Sequence, residues 1–532
     1  MKDLKAYVKV NSLTNSPGEV AAENFILEKL KNLPYFQDHT DYFGGWPLPG
    51  DGLNRRTIWA LYKGREDGKT IVLIHHHDVV SVEEFGPEKD LAFSVDELME
   101  AFRQKKDLEA EVQKDLDSGD WYFGRGISDM KAGGLAHLET LKEAIDKELP
   151  INLLYLSLPD EENLSWGMRQ AREDMDQLEK DQDLHYILCI DSESHTRACE
   201  DKFYYYTGSA GKVMINCYVR GKKTHIGEAV DGFNPLKVLG SLVAKTDSVL
   251  EFCDRTDQVQ GPPPSWSYLR DFKDHYDAST PLSGGGLYCQ VTVSKTAGEV
   301  FKDFKALAEK EAQDMVDQYR ENYQDFYHRE TAFDLEVLTY KEAYDRLKEK
   351  DPQGLKTCLE DLYEKHREDL DEGNLALPVF NFMLLDALAD LLDQDRGYLI
   401  LALSPPYYPY GENKLDEGLL RVLEETGEKI YGQPVEDAYF YMGISDLSYL
   451  SKEEDLEDRE IFEGNCPYYG TLYSLPLKTM EKYTIPILDL GPWGKDIHKK
   501  TERVYGPHIK GELKDHYLAF IEGIIKELEK EK

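Results

Sequence analysis

Thr70-Ile71-Val72-Leu73-Ile74-His75-His76-His77-Asp78 is an apolar, β-branched run that ends in three imidazoles and a carboxylate. Its first five residues read as a buried strand. Alternate residues of a strand point to opposite faces, so the three histidines cannot all be ligands on one face. Neutral imidazole is the commonest protein ligand for zinc-like metals, and a carboxylate beside a ligating histidine can fix its tautomer. Such a cluster at a strand end directs the search to the rest of a metal site.

The surrounding pattern alternates strands and helices. Ser16-Pro17-Gly18-Glu19 has the form of a helix start with a capping box, leading an amphipathic helix to about residue 33. Residues 57–62 read as a strand, followed by a turn at 64–68. Residues 83–118 are charged and read as a solvated helical insertion. Trp121-Tyr122-Phe123-Gly124-Arg125-Gly126-Ile127-Ser128-Asp129-Met130-Lys131 then leads into a helix running to about residue 146. Residues 151–158 and 186–190 are further buried strands. This alternation predicts an α/β domain with a mostly parallel central sheet. From 212 the order becomes strand, helix, strand, helix, strand up to 338, which predicts a compact α+β insertion with loops at 261–267 and 282–286. In it, 212–219 alternates like a half-exposed strand. Helices over 341–395, a strand at 398–403, a helix at about 415–431 and a strand at 485–490 follow. The expected division is 1–204 and 341–532 for the catalytic domain and 205–340 for the insertion.

Composition narrows the function. The chain has 532 residues and a net charge of −39, which argues against nucleic acid and against an anionic membrane surface. No apolar stretch reaches the length of a membrane span, and the first residues lack a signal-peptide core. Seven cysteines without CxxC pairing fit a reducing cytoplasm and argue against a cysteine-built zinc site. There is neither a Gly-x-Ser-x-Gly elbow nor a phosphate-binding Gly-x-x-x-x-Gly-Lys-Ser/Thr loop.

Further acidic and imidazole signals sit where strands should end, the expected place for sites on open α/β sheets. They are Asp129 after a Gly-Arg-Gly turn, Asp160-Glu161-Glu162, Asp191 and Glu193, and His498 after Gly491-Pro492-Trp493-Gly494. Taken singly, each has an ordinary explanation as a helix cap, a solvated turn or a surface histidine. Together they form the mixed nitrogen and oxygen set that suits a two-metal hydrolytic site.

In their order along the chain, His76-His77-Asp78, the Gly124–Lys131 stretch, Asp160-Glu161-Glu162 and Gly491-Pro492…His498 resemble the motifs of the M20 family of dinuclear metallohydrolases. The resemblance implies a phosphorylase/hydrolase-like catalytic domain with an inserted ferredoxin-like lid domain. It implies two divalent ions, most often Zn2+, with Mn2+ or Co2+ as alternatives. By the same resemblance His76, Asp129, Glu162, Asp191 and His498 would be metal ligands, with Glu193 the competitor of Asp191. Glu161 would be the general base and Asp78 the carboxylate orienting His76. His225, in Lys222-Lys223-Thr224-His225-Ile226-Gly227, would stabilise the oxyanion. His75 stands at a position that is commonly glycine in the family. The acidic insertion before Asp129 and the Gly491–Val504 segment resemble the RocB-type arginine-utilisation branch. The implied substrate is a small peptide or N-acylated amino acid, the implied setting cytoplasmic amino-acid catabolism, and the implied assembly a homodimer through the lid. A non-catalytic metal- or amino-acid-binding relative is the alternative.

Overall fold

A computed structural model describes residues 1–196, 201–412, 415–450, 456–482 and 484–530. The chain divides into two compact units. One comprises Met1–Ser209, Gly411–Glu453 and Pro476–Lys532, and the other Ala210–Tyr410 and Glu454–Leu475.

The first unit is built on a six-stranded sheet. Its order is Phe43–Pro47, Arg56–Lys63, Asn152–Leu158, Lys69–His76, His185–Asp191 and Ile487–Asp489. The last four strands run parallel, and the first two add an antiparallel edge. The strand Lys69–His76 is buried from Thr70 onward, and its Ile71–Ile74 run is apolar on both faces because helices cover a parallel sheet on both sides. Ile71 and Leu73 share a core with Leu138 and Leu141 of the helix Ala132–Asp146, and with Tyr517 and Ile521 of the helix Leu513–Lys530. Fully burying each such aliphatic side chain contributes roughly 1.5–3 kcal/mol. By alternation, His75 and His77 lie on this core side and His76 on the other. A small antiparallel sheet of Trp121–Phe123, Arg503–Tyr505 and Gly494–Lys495 ties the segment before Asp129 to the C-terminal loop.

One expectation for this unit is corrected. Ser16 caps the helix Pro17–Lys31 through the Gly18 amide, but Glu19 does not close a capping box. Its buried carboxylate accepts instead from the Asn15 and Asp160 amides and from Arg55.

The second unit has a five-stranded sheet in the order Ser265–Asp271, Ser283–Thr292, Gly211–Arg220, Gly397–Tyr408 and Leu335–Thr339. Up to 339 the chain follows the order strand, helix, strand, strand, helix, strand. Gly397–Tyr408 then inserts between Gly211–Arg220 and Leu335–Thr339, antiparallel to the first and parallel to the second. This unit therefore continues well past residue 340, where the sequence division ended it. Three local expectations also change. Residues 265–267, expected as part of a loop, open the edge strand Ser265–Asp271. Gly211–Arg220 is almost wholly buried because it is the central strand. Residues 283–286, expected as loop, are strand: a Cβ at Gly285 would lie 2.5 Å from the Phe382 ring and one at Gly286 2.6 Å from Trp266, so glycine here makes room for aromatic packing. Among the described residues no helix is long and apolar enough to cross a membrane.

Candidate metal centre

The strand carrying His76 ends at the carboxyl edge of the first unit's sheet, where the neighbouring parallel strands deliver Asp160–Glu162 and Asp191–Glu193. His76 is buried; its Nδ1 is 3.0 Å from the Asp78 carbonyl oxygen and 3.5 Å from the Asp78 carboxylate. Those partners leave Nε2 facing the centre, 2.9 Å from Asp129 Oδ1, 3.5 Å from Glu193 Oε1 and 3.9 Å from Glu161 Oε2. On the far side, His498 Nε2 lies 3.0 Å from both Asp129 Oδ2 and Glu162 Oε1. Asp129 thus stands between the two imidazoles.

Among the described residues the donor atoms fall into three groups, each within 4.8 Å: His76, Asp129 and Glu193; His76, Glu161 and Glu162; Asp129, Glu162 and His498. Asp191 belongs to none of them. Its Oδ2 accepts from the Ser445 hydroxyl at 2.6 Å and its Oδ1 from the Ser192 amide. Glu193, two residues beyond the strand end, reaches the centre and also accepts from the Tyr441 hydroxyl at 3.4 Å. Nitrogen and oxygen donors without sulfur, shared between adjoining groups, match the chemistry of divalent zinc, manganese or cobalt.

The electrostatics follow from packing several carboxylates into a buried space. Burial, followed by the charge of Asp129, pushes Glu193 up to about 8, and burial raises Asp191 to about 6. Glu161 is raised well above the usual carboxylate range, first by burial, and Glu162 is raised as well. Burial also disfavours the charged form of Asp129, but the His498 and His76 imidazoles more than offset it and hold Asp129 low. Burial works against protonated His498 too, yet Asp129 and Glu162 lift it to about 11. These clustered perturbations are what a site built for cations produces.

Residues outside the donor groups hold this geometry. Both oxygens of Asp78 accept backbone amides, from Glu161 and Glu162, each at 3.1 Å. The buried Glu502 accepts from Arg125 Nη1 at 2.6 Å and from the amides of Gly126, Ser128 and Asp129 at 3.2, 3.0 and 3.3 Å. Arg125 Nη2 also donates to the His498 carbonyl, so one ion pair braces both loops. Arg55 bridges Glu19 and Asp160 at the base of the Glu161 turn. Their partners lie up to 377 positions apart, so no local feature of the sequence announces these pairings.

His75 and His77 join none of the donor groups. They are buried on the opposite face and flank the Ser157 hydroxyl at 3.1 and 3.0 Å. Burial drives His77 down to about 3 and lowers His75, so both are neutral near pH 7. His225 lies in the second unit, exposed, with Nδ1 accepting the Gly227 amide at 3.0 Å. A cavity of roughly 400 Å³ in the first unit is lined by Asp129, Glu161, Glu162, Glu193 and His498 together with the 440–444 loop.

An α/β sheet carrying clustered nitrogen and oxygen donors at its carboxyl edge defines a metallohydrolase-type scaffold. The chain matches the model of peptidase family M20/M25/M40 over residues 75–457 and belongs to that family. It is 32% identical over 540 residues to Uncharacterized protein YqjN of Bacillus subtilis (strain 168), covering 99% of this chain and 96% of that one. It is 28% identical over 522 residues to Protein RocB of the same organism, covering 94% and 90%. Among solved structures, an M20 family metallo-carboxypeptidase from Sulfolobus solfataricus shares the fold with a TM-score of 0.53 at 12% identity, covering 97% of each chain.

Proposed function

We propose that the protein is a dinuclear metal-dependent hydrolase that cleaves an amide or peptide bond in a small peptide or N-acylated amino acid. The observation that carries this reading is the placement of Asp129 between His76 and His498, with a further carboxylate beside each imidazole. In it, His76, Asp129 and Glu193 would hold one ion, and Asp129, Glu162 and His498 the other. Glu193 replaces Asp191, whose carboxylate is engaged by Ser445. Zinc is the expected metal, with manganese or cobalt suited to the same donors. Bound ions would polarise the scissile carbonyl and lower the pKa of a water.

The chain's own groups account for the rest. Glu161 is the most distant of the three carboxylates around His76 Nε2, at 3.9 Å, and serves as the base. Its raised pKa suits a group that takes a proton and returns it to the leaving amine. Asp78 fixes the His76 tautomer and tethers the Glu161 and Glu162 backbone. His225 keeps the oxyanion role that the family resemblance gives it. The likeness to RocB supports a place in amino-acid catabolism, with arginine derivatives among the substrates to assay.

The test is hydrolysis by metal-loaded protein of a panel of dipeptides and N-acyl amino acids, arginine derivatives included. Glu161→Gln should lower kcat by about 10²–10⁴-fold with both ions retained. Full activity in that variant would remove Glu161 as base. Total inactivity of the wild type with both ions bound would favour a non-catalytic binding relative.

A further inference from the structure

The rest of the cavity lining, beyond the metal-binding residues, has a chemical character that the centre itself does not require. Its large side chains are Tyr206, Phe440, Tyr441, Met442, Ile444 and Ile497, with the small Ser194 and Thr196 among them. Among the described residues, the four acidic side chains that line the cavity are three of the proposed metal ligands and the proposed base, so each already has a role at the centre. Among the described residues no lysine or arginine lines it either. A charged group pressed against these apolar side chains would lose hydration.

Ile444 is the telling member. Its φ is +69°, a left-handed conformation that a β-branched residue adopts only under strain. The neighbouring Gly443 would take that conformation without cost, yet it is not among the positive-φ glycines. Gly443 is fixed by another demand: a Cβ there would lie 2.5 Å from the Tyr441 ring. On the other side, Ser445 is anchored to Asp191 at 2.6 Å. The loop thus has its glycine where Tyr441 needs space and keeps a branched apolar side chain where glycine would relieve strain. Strain retained in a site wall points to function.

We propose that Ile444 is the specificity-determining residue of this cavity, and that the substrate group seated against it is an uncharged, apolar side chain. This rests on the hydrolase reading above. The kcat/KM for leucyl, methionyl or phenylalanyl substrates should exceed that for aspartyl, seryl or arginyl ones by about tenfold or more, the discrimination a hydrophobic pocket gives. Glycine and asparagine both tolerate positive φ. Ile444→Gly removes the side chain and Ile444→Asn makes it polar, and each should lower that ratio by about tenfold. Thermal midpoints of the metal-free variants should not fall below wild type.

Calorimetric binding of free leucine, arginine and aspartate separates this inference from the hydrolase reading. Cleavage that prefers charged substrates, or a ratio unchanged in both variants, overturns the inference and leaves the hydrolase standing. A midpoint several degrees lower in both variants also overturns it, because Ile444 would then be structural packing. Leucine-selective binding that both variants lose, without cleavage of any amide, supports the inference and overturns the hydrolase. Neither binding nor cleavage by the metal-loaded protein overturns both.

Discussion

Replacing Glu502 by glutamine tests whether the centre depends on its bracing as well as on its donors. Four donors converge on the two Glu502 oxygens: Arg125 Nη1 and the Gly126 amide on Oε2, and the Ser128 and Asp129 amides on Oε1. Glutamine keeps one oxygen and turns an NH2 group toward the other pair of donors, so two hydrogen bonds are lost whichever way the amide lies. It also removes the buried counter-charge of Arg125. Breaking a buried pair in this way costs about 3–5 kcal/mol. Arg125 keeps a second carboxylate partner in the half-exposed Glu84, which argues for the lower end, about 3 kcal/mol. If the amide side slackens, Asp129 loses its fixed position between His76 and His498. Disturbing such an outer partner typically costs 10–100-fold in metal affinity. Chemical denaturation of metal-free protein measures the first quantity, and competitive chelator titration the second. Glu84→Gln, a more exposed change, should stay within about 1 kcal/mol of wild type. Wild-type stability and metal affinity in Glu502→Gln would refute the reasoning.

Three further outcomes follow from the geometry. Glu193→Gln should weaken metal binding by at least about tenfold more than Asp191→Asn, because only Glu193 lies among the donor groups; equal losses in a chelator titration would restore Asp191 as a ligand. Metal-free protein should lose thermal stability as pH rises from about 4 to 8: burial raises Glu193 and Asp446 to about 8 and Asp191 to about 6, so the folded state holds protons that the unfolded chain releases near pH 4. Saturating metal should replace those protons, so its stabilising shift should grow across the same window, and a shift independent of pH would count against the carboxylate cluster. Gly134→Ala should destabilise by about 1–3 kcal/mol, because its Cβ would meet the buried His75 ring at 2.1 Å; a neutral result in denaturant titration would show that His75 can move.

How far the sequence could be read depended on the range of the interactions. The strand before His76, the strands before Asp160 and Asp191, and the helix after Asp129 were legible because burial on both faces and helical periodicity are local properties. Their ends located the donors to within two residues. Glu193 was harder because its position depends on how the chain leaves the strand, and Ser445, 254 residues away, engages Asp191 in its place. The same limit explains the second unit. The apolar run at 398–403 announced a buried strand, but no local feature says which sheet will accept it. Pairing with Gly211–Arg220 on one side and Leu335–Thr339 on the other settles that, across more than 170 positions on the first side. The glycines at 284–286 read as loop because glycine is a poor strand former; the Phe382 and Trp266 rings that require them were invisible.

The adjacent Glu161 and Glu162 show how one buried group can set several others. Neighbouring carboxylates with the same chemistry would ordinarily compete for one position. Here their amides are fixed separately, one to each oxygen of Asp78. Thr14 also donates to Asp78, at 2.9 Å, and Arg55 holds Asp160 from the other side of the turn. With the backbone pinned at consecutive residues, the two side chains depart toward different imidazoles: Glu161 toward His76, Glu162 toward His498. The same Asp78 carboxylate lies 3.5 Å from His76 Nδ1, opposite the nitrogen that faces the centre. Orientation of the imidazole and division of labour between the two glutamates therefore share one anchor. That is why an aspartate two residues after the histidine matters more than the two histidines beside it, which face the core.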